Sequence, residues 1–305
     1  MPSRFEDHSV FLIYDITRLF RQVFGARLQD LELSESRWRV LGALSIFPAI
    51  GQTALAKHLA MGRAPLGEQV DKLQGEGLVE RRPDPHDGRA KCLYITAKAE
   101  PLIGEIRDRS LALKADYLKG LGPDQLSELQ QTLQRLYANL ARLEPATTAK
   151  LAASELSFMH LVTCISRLNG RHFDQRLKAL GFTRTQWLVL AGINASEGVQ
   201  QNVLAQNLSM RKAPLGVLVD NLEQGRWVER RPHPQDRRAK QLFLSSRCTR
   251  QLESLSESFE ALHLSTLQGI LEHHQENLHA GLTQVRDNLK RLAQDSILVQ
   301  RPGEE

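Results

Sequence analysis

Cysteine is scarce in this 305-residue chain, and what there is does not pair. Cys92, Cys164 and Cys248 are odd in number and include no CxxC, which argues against a disulfide framework or a thiolate zinc site. Aromatic residues are only 6% of the chain, while Leu, Ala, Gln and Arg are plentiful and lean it towards helix. No apolar run approaches the ~20 residues that would span a bilayer. The N-terminal MPSRFEDHSVFLIYDI has acidic residues where a secretion signal is basic, so a cytoplasmic chain without a membrane partner is expected. Also missing are a P-loop, a GxGxxG after a strand, GxSxG and HExxH; we expect no enzyme and no cofactor. The net charge of +5 is too small to name a partner, but the basic residues cluster in two places.

Those two places belong to one sequence written twice. With Trp38 set over Trp187, an offset of 149, GRAPLGEQVDKL falls on RKAPLGVLVDNL and LVERRPDPHDGRAK falls on WVERRPHPQDRRAK. Roughly half the positions between Trp38 and Lys91 are identical to their partners, without a gap. Near the ends, Leu129, Leu133, Leu136, Leu140 and Leu143 meet Leu278, Leu282, Val285, Leu289 and Leu292. A period this long exceeds the ~20–45 residues of a solenoid repeat, so it means two whole domains, 1–146 and 150–305. LEPATTAKLAAS joins them, with Pro145 ending the helix before it.

Each copy predicts the same elements. An amphipathic helix (8–30 or 155–180) precedes a Trp-bearing helix capped by Ser34 or Thr183. A short Leu-Ala helix follows, then a tight turn and a further helix with Pro65 or Pro214 in its first turn, where a missing N–H loses nothing. The period then changes: Leu78–Arg82 and Cys92–Ile95 alternate as strands around a Pro-, Asp- and Gly-containing turn. A hairpin directly after a helix-turn-helix is a wing. Two more helices close each copy, the last with leucines at the 4-3-4-3 spacing of a partner seam. The expected fold class is mainly α with small β wings, two winged helix-turn-helix domains in tandem.

Here the residues resemble the MarR family of winged-helix regulators. The resemblance rests on the Trp-bearing second helix, the Leu-Ala helix, Val-Asp-x-Leu ending the helix after the turn, and Val-Glu-Arg-Arg-Pro running into Asp87-Gly88-Arg89-Ala90-Lys91 or Asp236-Arg237-Arg238-Ala239-Lys240. It covers nearly all of both halves. It implies a regulator that reads double-stranded DNA, normally a homodimer interlocked through first and last helices. In this chain both protomers would come from one polypeptide, an intramolecular pseudo-dimer, with a further dimer of such chains left open.

Duplex DNA is a dense line of phosphates, which cationic side chains meet with release of counterions. Wing candidates are Arg81, Arg82, Arg89 and Lys91 in the first copy, and Arg230, Arg231, Arg237, Arg238 and Lys240 in the second. The family's pattern sets Arg89 and Arg238 at the wing tips, in the minor groove, with Asp87 and Asp236 orienting them. The helix in the major groove brings Arg63, Gly67, Glu68 and Gln69, or Arg211, Lys212, Gly216 and Val217. Here the chain departs from the family, which usually has Ser or Thr followed by Arg where Gly67-Glu68 and Gly216-Val217 stand. Glu suits a cytosine amino group and Val a thymine methyl, so base preference cannot be carried over. The heads also differ from each other (Lys57-His58 against Gln206-Asn207), which predicts an imperfect inverted repeat with half-sites ~10 base pairs apart.

The resemblance further implies a small aromatic or phenolic effector between head and dimer helices, with Trp38 and Trp187 as candidate walls or, more simply, core. It puts Cys164 in the region where peroxide-sensing relatives keep a reactive cysteine, a candidate redox site set against the inert buried thiol that most cysteines are. Glu272-His273-His274 and His279 are read as solvated and no metal is expected, since adjacent helical histidines diverge and no second carboxylate–histidine pair accompanies them. The alternative function is a protein-interaction or ligand-sensing module with degenerate DNA-binding heads.

Overall fold

A computed structural model describes residues 9–59, 61–84, 90–143, 153–208, 210–232 and 240–299. The first copy runs α1 (Ser9–Arg27), α2 (Glu35–Ile46), β1 (Ile50–Gly51), α3 (Gln52–Leu59), α4 (Arg63–Gly75), β2 (Val79–Pro83), β3 (Lys91–Ile95), α5 (Glu100–Tyr117) and α6 (Pro123–Arg142). The second runs α7 (Phe158–Ala179), α8 (Arg184–Ala195), β4 (Val199–Gln200), α9 (Gln201–Asn207), α10 (Lys212–Gln224), β5 (Val228–Pro232), β6 (Lys240–Leu244), α11 (Ser246–Thr266) and α12 (Glu272–Val299). The fold is the mainly helical winged one expected, and α2, β1, α4, β2 and β3 reappear 149 residues on with the same bounds.

Local chemistry accounts for the boundaries. The Ser34 and Thr183 hydroxyls accept from the backbone N–H of Arg37 and Gln186, capping α2 and α8. Strand order is β1-β3-β2 in one sheet and β4-β6-β5 in the other, with Val79 opposite Ile95 and Val228 opposite Leu244. Pro83 and Pro232 end β2 and β5, both edge strands, where a lost donor is tolerated. Backbone turns repeat too. Among the described residues the positive φ angles form four pairs at the same offset: Glu32 with Gly181, Ala49 with Gly198, Gly77 with Arg226, and Gly120 with Gly269. The backbone path has outlived the glycine in three of these pairs.

The chain forms two compact units, and their division differs from that of the repeat. The first unit holds the described residues up to Arg167 and from Gly269 onward; the second is Leu168–Gln268. So α12, last helix of the second copy, belongs to the unit built on the first. The cause is its apolar stripe: Leu278, Leu282, Val285 and Leu289 are buried, and α12 packs along α1 and α6. Leu12, Ile13, Ile16 and Leu19 of α1 and Leu129, Leu133, Leu136 and Leu140 of α6 are buried in the same unit. Each such side chain contributes about 2 kcal/mol relative to exposure. Leu143, last of its 4-3-4-3 run, is exposed. Gly281 lets α6 approach closely, since a Cβ there would stand 3.0 Å from Leu129 Cδ2. Buried Asn288 completes the junction by donating to the carbonyls of Tyr117 (3.0 Å) and Lys119 (2.8 Å) at the end of α5. First and last helices of the first copy thus pack with the last helix of the second.

In the same unit Arg167, from the first half of α7, donates to the carbonyls of His58 (2.8 Å) and Lys57 (3.3 Å) at the end of α3. Arg39 donates to the next carbonyl, of Leu59. These cations answer the negative end of α3. The second copy has Leu188, an exposed leucine, in place of Arg39.

The second unit has its own core, in which Val189, Leu190 and Ile193 of α8, Leu204 of α9, Leu215, Val219 and Leu222 of α10, and Leu242 of β6 are buried together.

Candidate nucleic-acid interface

The helix after each turn buries one side and leaves its opening turn in solvent. In α4 the inner residues are Leu66, Val70 and Leu73, a 4-3 spacing; Arg63 and Glu68 are exposed, and Gly67 and Gln69 are half-buried. In α10 the inner residues are Leu215, Val219 and Leu222; Arg211 and Lys212 are exposed, Gly216 is half-buried, and Val217 is 61% exposed. A valine left that open beside two cations leaves an apolar contact on a polar surface.

The wing arginines fall into two groups that the sequence did not separate. Arg81 turns back to the helix: its Nη2 lies 2.6 Å from Asp71 Oδ1 and 3.3 Å from Gln52 Oε1, and its Nη1 donates to Gln74 Oε1 at 2.5 Å. Arg230 does likewise, with Asp220 at 2.6 Å, Gln201 at 3.3 Å, and Glu223 as a further partner. Both guanidinium groups are mostly covered, at 21% and 13% side-chain exposure. They brace the wing strand onto the helix. Arg82 and Arg231 point the other way. They pair with Glu80 and Glu229 on their own strands, lie over the rings of Tyr94 (4.7 Å) and Phe243 (4.3 Å), and stay more than half exposed. Lys91 and Lys240 open β3 and β6 and are exposed.

The glycines border the brace. A Cβ on Gly67 would meet the Gln52 amide nitrogen at 3.3 Å, and one on Gly216 would meet that of Gln201 at 3.4 Å. Each glutamine lies against a glycine and accepts from the brace arginine with its other atom. Gln52, Asp71 and Gln74, with Gln201, Asp220 and Glu223, are the residues sequence reasoning missed. The signal was present, since Gln52/Gln201 and Asp71/Asp220 are identical at the repeat offset.

The expected wing-tip residues Asp87, Arg89, Asp236, Arg237 and Arg238 lie outside the described residues. Both candidate effector-wall tryptophans pack on aromatic rings: Trp38 edge-on to Phe24 (5.1 Å) and Trp187 edge-on to Phe173 (5.9 Å). Cys164 is buried in α7, and Cys92 and Cys248 are buried as well. Burial pushes the Cys248 thiol up to about 11; it raises Cys92 too, helped by the hydrogen bond to Asp84.

The family comparison covers these elements. The MarR family profile matches residues 29–90 and again 180–239, covering both helix-turn-helix segments and most of both wings. Two winged helix-turn-helix segments define the class. This chain belongs to the MarR family, a family of transcriptional regulators, and carries that family's segment twice. Among solved structures it is similar to MepR of Staphylococcus aureus, a transcription regulator of the multidrug efflux pump MepA. That match has 24% identity over 44% of this chain and 99% of that one, with a TM-score of 0.40. The S. aureus MepR–DNA complex matches at 24% identity over 44% and 98%, with a TM-score of 0.37. The transcriptional regulator PA3341 matches at 33% identity over 41% and 92%, with a TM-score of 0.39. No helix among the described residues is long and apolar enough to cross a membrane.

Proposed function

We propose that this regulator binds duplex DNA with both heads of a single chain, reading an imperfect inverted repeat. The observation that carries the reading is the repeated brace. In each copy an arginine of the wing strand is fixed to the middle of the helix whose first turn is exposed, so helix and wing form one rigid reading surface. The braced arginines serve geometry, while Arg63, Arg211, Lys212, Arg82, Arg231, Lys91 and Lys240 supply exposed charge for phosphates. Arg89 and Arg238 are the minor-groove arginines by family pattern. Glu68 in one head and Val217 in the other present different chemistry to base edges, so the two half-sites differ.

The test is selection from a random duplex library, followed by titration of the enriched sequence with wild-type chain and with Arg89→Ala/Arg238→Ala. The expected result is an enriched pair of unequal half-sites, bound by one chain and weakened by the wing substitutions. Failure to enrich any sequence, or binding indifferent to the wings, would overturn the reading in favour of an interaction module.

A further inference from the structure

A second set of convergent side chains lies away from the reading heads, in the first turn of α12. His273 and His274 are neighbours in sequence, and successive helical residues ordinarily diverge by about 100°. Here their ring centroids lie 3.9 Å apart. Glu128 comes to them from α6, the helix that packs on α12. Its Oε1 lies 2.5 Å from His274 Nδ1 and accepts from Asn277 Nδ2 at 2.9 Å. One ligand atom from each of Glu128, His273 and His274 lies within 4.8 Å of the other two. The carboxylate that meets the histidines is not the neighbouring Glu272 but Glu128, contributed by the other copy.

We propose that Glu128, His273 and His274 form a binding site for one divalent transition-metal ion, with Zn2+ the best chemical match, clasping α6 to α12. Two imidazoles and a carboxylate make a three-ligand set that zinc accepts, and a water completes a four-coordinate shell. Calcium and magnesium take all-oxygen shells and do not suit this set. Bonds of about 2.0–2.2 Å set ligand atoms roughly 3.3 Å apart in a tetrahedron. His273 is exposed and free to swing inward, while the ion replaces the hydrogen shared by His274 and Glu128. Asn277 holds the carboxylate in place as an outer partner, the usual support of a metal ligand. Glu128 also sets a negative charge beside the positive end of α12.

The site occurs once per chain. At the repeat offset Glu128 corresponds to Asn277, His273 to Asp124 and His274 to Gln125, so the mirror position lacks histidine altogether. It also requires both copies folded together, since α6 and α12 come from different halves. Binding an ion there favours the interlocked state through mass action.

The experiment uses the full chain without an affinity tag, stripped by chelator and titrated with Co2+ by visible absorption, then with Zn2+ by calorimetry. Expected is one equivalent bound, with affinity falling about tenfold or more in Glu128→Gln, His274→Ala and His273→Ala. His279→Ala, an exposed histidine on the same helix, should bind as wild type. Zn2+ should raise the melting temperature of wild type and not of His273→Ala, a solvent-facing change that leaves the fold intact. No saturable binding, binding untouched by the three substitutions, or equal loss in His279→Ala would each overturn the site.

Discussion

Arg230 stands 2.6 Å from Asp220, and at the matching positions of the other copy Arg81 stands 2.6 Å from Asp71. The pair joins the wing strand to the middle of the helix that would face DNA, and in each copy a glutamine from the preceding helix joins it. Asp220 is more than half exposed, so the pair contributes modestly, on the order of 1 kcal/mol. Arg230→Ala should therefore lower urea stability by about that amount and weaken DNA binding by more than its lost charge alone. A double-mutant cycle with Asp220→Ala should recover a coupling of about 1 kcal/mol. Zero coupling would mean that the pair does not hold the wing.

Asn288 should be less forgiving. It is buried and satisfies two carbonyls at the end of α5, so Asn288→Leu leaves both without their partner. An expected loss of about 1–3 kcal/mol, measured by urea denaturation, follows from desolvated unpaired groups.

Gly281 tests the α6–α12 contact by volume instead of polarity. A Cβ there would crowd Leu129, whose flexible end must give by a few tenths of an ångström to admit a methyl group. Gly281→Ala should change stability little, because helix propensity gains what packing loses. Gly281→Leu should destabilise by about 1–3 kcal/mol through overpacking, read by thermal melting.

Backbone conservation without glycine predicts gains. Ala49 holds φ 62° where its counterpart is Gly198, and Arg226 holds φ 57° where its counterpart is Gly77. A side chain in that region costs about 1–2 kcal/mol, and glycine gives back part of this as lost chain entropy. Ala49→Gly and Arg226→Gly should each raise the melting temperature, and a fall in both would show that side-chain contacts outweigh backbone strain there.

All three cysteines are buried, and burial holds the Cys248 thiol near 11, well above neutral pH. A thiolate-selective reagent at pH 8 should leave the native chain essentially unlabelled and modify three groups after denaturation. Fast modification of Cys164 alone would revive the redox role that the family resemblance suggests for it.

Much of this is legible in the sequence. The 149-residue repeat, the capping Ser34 and Thr183, Pro65 and Pro214 in first turns, and the change of period at Val79 and Val228 are local signals, and each element formed where they indicated. The functional assignment of arginines was less legible. Arg81 and Arg82 are adjacent and identical in chemistry, yet one is committed to Asp71 and the other lies over Tyr94 in solvent. Strand alternation sends neighbours to opposite faces, but which face holds a carboxylate depends on a helix ten residues earlier. Adjacent helical histidines ordinarily diverge, and nothing near His273 and His274 in sequence shows that they converge. Glu128 lies 146 positions from His274.

By itself the sequence determined that there are two copies, what elements each contains, where the capped helices begin, and which leucines are apolar seams. Those are short-range matters of hydrogen-bonding caps, dihedral preference and periodicity. Only the tertiary structure decided where the seams went. Helix α12 buries Leu278, Leu282, Val285 and Leu289 against α1 and α6, so the compact unit cuts across the repeat. An apolar stripe states that it must be buried and not against what; that choice is made by shape and proximity, through contacts between residues more than a hundred positions apart.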